Sequence, residues 1–246
     1  MAIATNFQVT ASRSMPQATV DGYTINARGS RYGDTTVENV WPTSHVQADE
    51  GSYFFANNAQ TGIVMTTASN AYGATTPFIA LINNDVVNNP ASKRIFLDYI
   101  TLVTTATGAS GTSVQFSLAI DAAARYTSGG TNMTTAIYKA NTAGPASIAG
   151  LYVGAITAAA VTSAVRYPIG QRYLKPAIPV IGDTYTISSG SVDQSSFLAT
   201  ATITYSLQGV APLVINPGEV LFMHLWLPSQ AVTPSAYAPE LGWSER

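Results

Sequence analysis

Cysteine is absent from this chain, which excludes disulfides, thiol nucleophiles and thiolate metal sites and leaves the redox compartment unreadable. Charge is scarce too: Asp, Glu, Lys and Arg make up 10% of the residues, against roughly 25% in an ordinary soluble domain. The formal net charge of −2 gives no electrostatic reason to bind nucleic acid or an anionic membrane. No apolar run approaches the roughly 18–20 residues of a membrane span. The opening residues Met1-Ala2-Ile3-Ala4-Thr5-Asn6-Phe7 lack the basic and apolar blocks of a secretory leader, so the expectation is synthesis in the cytoplasm without an export signal.

Catalytic patterns are equally thin. Of the two histidines, His45 lies in Trp41-Pro42-Thr43-Ser44-His45 and His224 inside an apolar run; neither has metal or triad partners at a diagnostic spacing. Gly108-Ala109-Ser110-Gly111 lacks the G-x-S-x-G pattern of a nucleophile elbow and reads as a flexible link. Asn83, Asn84, Asp85, Asn88 and Asn89 do not match a calcium loop with its distal Glu. Asp49 and Glu50 are adjacent on the chain and point apart in an extended segment, which makes a poor acid/base pair. No phosphate loop of the G-x-x-x-x-G-K form occurs. The expectation is a protein without catalytic residues, cofactor or metal.

What the chain has is apolar residue in quantity, 46%, with few charges to keep it dissolved. Either Ser, Thr, Asn, Gln and Gly supply the polar surface, or partners cover much of it; the composition favours burial in an assembly. The densest stretch runs from Asn216-Pro217-Gly218-Glu219 through Val220-Leu221-Phe222-Met223-His224-Leu225-Trp226-Leu227 to Pro228. Strand side chains alternate with period two, so Val220, Phe222, His224 and Trp226 share one side and Leu221, Met223, Leu225 and Leu227 the other. Both sides are apolar, which predicts a central strand covered on both faces.

Other strands are predicted at 63–67, 77–82, 94–103, 113–121, 135–139, 151–156, 161–167 and 178–187. The 94–103 and 113–121 runs, joined across Thr107-Gly108-Ala109-Ser110-Gly111, read as a hairpin, and Ser128-Gly129-Gly130-Thr131 reads as a loop. Ala201, Ile203, Tyr205 and Leu207 alternate with Thr and Ser, the pattern of a half-exposed antiparallel strand. About eight to ten short strands without a convincing helix predict an all-β fold, best a jelly-roll-like antiparallel β-sandwich, with a barrel-like or Ig-like sandwich as the alternatives. Residues 1–60 show no sustained period and read as an extended N-terminal arm; 61–230 form the sandwich, and 231–246 a proline-spaced C-terminal tail.

Several phrases resemble small structural proteins of short-tailed bacteriophages, including cyanophages. They are Ala48-Asp49-Glu50-Gly51-Ser52-Tyr53-Phe54, Lys93-Arg94-Ile95-Phe96-Leu97-Asp98-Tyr99-Ile100, Val214-Ile215-Asn216-Pro217-Gly218-Glu219, His224-Leu225-Trp226-Leu227-Pro228-Ser229-Gln230 and Glu240-Leu241-Gly242-Trp243-Ser244-Glu245-Arg246. The resemblance covers most of the chain from about residue 40. It implies a head auxiliary (cement or decoration) protein: a jelly-roll body, commonly a homotrimer, clamping neighbouring major capsid subunits from the outer surface of the virion. The first 40 residues match less clearly, and the arm is read from its own chemistry. Aromatic anchors are enriched at interfaces, which marks Tyr32, Trp41, Tyr53, Phe54 and Phe55, with the basic step Arg28 and Arg31, as the expected partner contacts. The expected partners are the major capsid protein and further copies of this chain, with neither nucleic acid nor membrane. A receptor- or carbohydrate-binding module of a tail spike or fibre is the alternative, and a self-assembling shell protein a third reading.

Overall fold

The computed structural model describes residues 28–29, 35–36, 43–65, 71–108, 113–161, 166–175, 178–188, 202–206, 213–228 and 234–246. The chain divides into two units, Met1–His45 and Val46–Arg246. In the first, Arg28–Gly29 pairs antiparallel with Thr35–Thr36.

Apolar period-two patterning in the second unit produces eleven strands of five or more residues among those described. They are β1 (Tyr53–Asn57), β2 (Ile79–Asn83), β3 (Ile95–Ala106), β4 (Val114–Asp121), β5 (Tyr126–Asn132), β6 (Ala149–Ala158), β7 (Arg166–Lys175), β8 (Thr184–Ser188), β9 (Thr202–Ser206), β10 (Val220–Trp226) and β11 (Ala236–Glu245). One sheet has the order β7-β4-β10-β2-β6-β5; the other runs β9-β8-β3-β11-β1 and ends on the short strand Ile137–Lys139. Leu213–Ile215 adds to β3 and Ile63–Val64 to β11. Neighbours pair antiparallel throughout except β8 and β9, which run parallel.

The two sheets pack as a β-sandwich. The main core lies between them and includes Leu81, Ile95, Ile100, Leu102, Phe116, Leu118, Leu151, Tyr185, Leu221, Met223, Leu225, Tyr237, Leu241 and Trp243. A second, smaller cluster of Ala80, Ile82, Ile156, Ala158, Val220 and Phe222 lies on the outer side of the first sheet. β10 therefore feeds one cluster with each of its sides. It sits between β4 and β2, and none of its seven residues exceeds 4% exposure. The central strand read from residues 216–228 stands as expected.

The strand read as antiparallel from Ala201, Ile203, Tyr205 and Leu207 pairs parallel with β8 over Thr202–Ser206 instead. Three further expectations change. The 94–103 and 113–121 runs do not form a hairpin: β3 pairs with β8 and β11 in the second sheet, β4 with β7 and β10 in the first. Their burial explains the separation. β4 is buried on both sides and needs cover on both, whereas β3 alternates between buried and half-buried residues along most of its length. The residues expected as a loop at Gly129-Gly130 lie inside edge strand β5, where both glycines take positive φ (+81° and +74°). A Cβ on Gly129 would meet the Ala155 carbonyl, so glycine here permits a close backbone approach rather than breaking the strand.

The third change is at the ends. The closing residues, expected as a tail, contain β11, a central strand of the second sheet. Pro239 is tolerated there because Ile63–Val64 pairs with residues 236–237 and β1 with residues 240–244, so at Pro239 only the β3 side carries a ladder. The Glu245 carboxylate, buried at 1% exposure, accepts from Ser147 Oγ (2.5 Å), Trp243 Nε1 (3.1 Å) and the Ile148 amide (3.2 Å) and so pins the strand's end. The arm, expected to reach residue 60, gives way earlier to a helix, Thr43–Asp49, and then to β1. The helix stops in a Schellman motif: Ser52 N–H donates to Gln47 O (2.9 Å) and Gly51 N–H to Ala48 O (3.1 Å), with Gly51 at φ +72°.

Candidate functional site

The expected contact residues divide once β1 enters the second sheet. Phe54 points into the core, fully buried, its ring 6.3 Å from that of Trp243; it is withdrawn from the contact set because no partner can reach it. Tyr53 and Phe55, on the opposite side of the strand, face outward with ring centroids 5.0 Å apart. Arg28 lies in the short pairing of the first unit, while Arg31, Tyr32 and Trp41 fall outside the described residues.

Around Tyr53 and Phe55 the register builds a face that sequence reading missed. Phe55 stands opposite Tyr138 on one side and Gly242 on the other, and Gly242 stands opposite Tyr99. One cross-strand row thus runs Tyr138, Phe55, Gly242, Tyr99. The glycine is required: a Cβ there would collide with the Tyr99 ring and stand 2.9 Å from the Tyr53 hydroxyl. Between Gly242 and Trp243 the register with β3 slips by one residue, leaving Asp98 as the extra residue of a bulge. Bulges re-aim side chains, and here Asp98 accepts from the Tyr53 hydroxyl at 2.7 Å. Tyr99 donates similarly to Glu240 at 2.9 Å.

Each phenol is held well above its ordinary pKa, first by burial and then by its carboxylate partner, so both rings stay neutral donors. Fixing the rings this way removes rotamer freedom before any partner arrives, which favours binding by preorganisation. Accessibility is greatest on the edge strand. Tyr53 is 6% exposed, Phe55 half-buried and Tyr138 56% exposed. The face offers aromatic contact area beside two carboxylates and holds no nucleophile–base pair. Among the described residues no three His, Cys, Asp or Glu side chains are grouped to hold a metal ion.

The other polar cluster surrounds His224, on the outer side of the first sheet. Arg125 binds Asp121 through Nε (3.0 Å) and Nη2 (2.7 Å), and donates to the carbonyls of Ala159 and Ala74. Its guanidinium lies 5.2 Å from the Phe222 ring centroid. His224 Nε2 is 3.4 Å from Ala74 O, and its ring is 5.1 Å from that of Tyr72, which also meets Trp226 at 5.4 Å. The Arg166 guanidinium stands 5.0 Å from the Tyr72 ring centroid. Burial holds the His224 pKa down at about 4, despite the bond to Ala74 and with help from both arginines. The imidazole is neutral at pH 7 and ties a loop to the sheet.

Comparison with known proteins gives no match to a family model, a curated protein or a solved structure.

Proposed function

We propose that this chain is a structural virion protein: a cement or decoration protein that binds the outside of a phage capsid and stabilises contacts between major capsid subunits. The observation that carries the reading is the outward row Tyr138, Phe55, Gly242, Tyr99, with Tyr53 beside it. Aromatic side chains set on a rigid sheet are the anchors enriched at interfaces. The 10% charged fraction and the resemblance of the 93–100, 214–219 and 240–246 phrases to short-tailed phage structural proteins support the same reading. Under it the protein acts as a homotrimer on the capsid's outer surface after synthesis in the host cytoplasm, and it uses neither nucleic acid nor membrane as a partner. Cryo-electron microscopy of particles carrying the protein tests this: density on the outer shell at local symmetry axes is expected, and density confined to the tail overturns it. Light scattering of the free protein should give a mass near three times 25.8 kDa.

A second reading, a carbohydrate- or receptor-binding module of a tail spike or fibre, is favoured by one specific observation. Tyr99, with Phe55 and Tyr138 along the same row, stands beside Asp98 and Glu240 on one face, and ring faces next to carboxylates suit sugar CH groups and hydroxyls. Specific binding of the isolated protein on a glycan array would move this reading ahead of the first.

A further inference from the structure

Residues 71–74 cross the outer side of the first sheet and are fastened there by side chains more than by backbone. The fastenings are the Tyr72 ring against His224 and Trp226, the Arg166 guanidinium over Tyr72, and two hydrogen bonds to Ala74 O from His224 Nε2 and Arg125 Nη2, each 3.4 Å long. Bonds of that length are weak. Firmer backbone anchoring begins beyond the segment, where Ala158 N–H donates to Thr75 O (2.8 Å) and Phe78 N–H to Met223 O (2.7 Å).

The chemistry of His224 makes this strap conditional. Ala74 O can only accept, so His224 Nε2 carries the hydrogen and Nδ1 presents a bare lone pair. Nδ1 is buried and has no hydrogen-bond partner among the described residues. A second proton would arrive on Nδ1, with no acceptor to receive its N–H. The charged groups around it are Arg125 from the turn after β4, Arg166 from β7 and Asp121 from the end of β4, whose Oδ2 is taken by Arg125 and whose Oδ1 is buried without a hydrogen-bond partner among the described residues. An imidazolium there faces two guanidiniums with its new N–H unpaired, whereas lifting the strap opens it to water.

We propose that residues 71–74 are an acid-released strap: protonation of His224 frees Tyr72 and Ala74 from the outer side of the first sheet while both sheets stay folded. The opening is local because β10, which carries His224, is held by ladders to β4 and β2 on its two sides. Release uncovers the faces of His224 and Trp226 that Tyr72 covers. Asp121 works in the opposite direction. Burial pushes its carboxyl up despite Arg125, so exposing it in acid is unfavourable, and proton-driven opening falls to His224.

Hydrogen–deuterium exchange of the full chain, corrected for intrinsic rates, reads the opening directly. The opening constant read at the Thr76 amide, which donates to Gly73 O of the strap at 3.2 Å, should rise about tenfold per pH unit as pH falls from about 6.5 to about 4, the slope of one proton, while residues 220–226 stay protected. His224→Gln keeps a donor for Ala74 O and takes up no proton, so it should flatten the rise. An equal rise in His224→Gln, simultaneous loss of protection in the strap and β10, or no rise in the native chain would each overturn the proposal. Should His224→Gln fail to fold, histidine NMR of the native chain decides. Only His45 and His224 contribute signals, and the His224 signal must titrate together with strap opening. Ordinary titration with the strap closed overturns the idea.

Discussion

Gly51 and Gly144 meet backbone to backbone. A Cβ on Gly51 would stand 2.8 Å from Gly144 Cα, and one on Gly144 would stand 2.9 Å from both the Cα and the carbonyl oxygen of Gly51. The contact joins the end of the Thr43–Asp49 helix to the loop before β6, and Asn141 Nδ2 reinforces it by donating to Asp49 O at 2.9 Å.

Gly51→Ala should therefore be destabilising for two reasons, the left-handed φ of +72° and the collision. Together they cost about 2–3 kcal/mol, of which the backbone conformation supplies about 1. Gly144→Ala carries the collision alone and should cost less, about 1–2 kcal/mol. Urea midpoints of the two variants test the order; a neutral Gly51→Ala would disprove the close approach.

The turn after β1 offers the reverse effect. Thr61 N–H donates to Asn58 O at 2.8 Å, and both central residues have positive φ, Ala59 at 46° and Gln60 at 60°. This is the mirror-type turn that favours Asn-Gly. Neither Ala nor Gln adopts it without cost, although the Asn57 side-chain Oδ1, accepting from Ala59 N–H at 3.2 Å, and Asn58 Nδ2, donating to Thr61 O, help hold it. Replacing the pair by Ala59→Asn with Gln60→Gly should stabilise by about 1–2 kcal/mol, read as a higher melting temperature. A fall in melting temperature would contradict the turn assignment.

These two turns show what was legible in the sequence. The two-sided apolar run of β10 could be read because burial on both sides leaves no alternative to a central strand. The β3 and β4 pairing could not, since a period-two pattern marks a face without naming a neighbour. β11 was hidden by Pro239, which punctuates a sequence but costs nothing where one side of the strand is bare. The Schellman signal, Gly51 two residues after Asp49, was present, yet a helix this short has too little apolar periodicity to announce itself. Of the candidate face, Tyr53 and Phe55 could be named from sequence. Tyr99, Tyr138, Asp98 and Gly242 could not, because only the register and the bulge in β3 bring them together.

Acid should weaken the fold through His224. Burial depresses its folded pKa to about 4, below the ordinary value near 6.5. A histidine that binds its proton less readily folded than unfolded shifts the balance toward the unfolded chain as pH falls. Its contribution is complete above about pH 6.5, is lost progressively down to about 4, and changes little below that. The total is about 3 kcal/mol. Unfolding free energies from urea titrations between pH 7 and 4 should show this slope, and His224→Gln should remove most of it.

A buried and an exposed side chain predict a further contrast. Phe222→Ala empties a fully buried site and removes the ring under Arg125, at a cost of about 3–5 kcal/mol. Val64→Ala, at a side chain 51% exposed, should stay within about 0.5 kcal/mol. A loss at Phe222→Ala as small as that expected at Val64→Ala would mean that the outer cluster does not bear on stability.

Tyr138 separates binding from folding. Its ring is 56% exposed on a three-residue edge strand, so Tyr138→Ala should change stability by no more than about 0.5 kcal/mol. If the aromatic row meets the capsid, the same substitution deletes its most accessible anchor, and anchors of this type cost about 1–2 kcal/mol or more when truncated. Affinity for shells stripped of the protein should then fall about tenfold or more, with Val64→Ala unchanged as the control. Unaltered binding by Tyr138→Ala would exclude this face as the capsid contact. Loss of glycan binding with retained shell binding would assign the face to the carbohydrate reading instead. The substitution thus discriminates the two functions as well as testing the first.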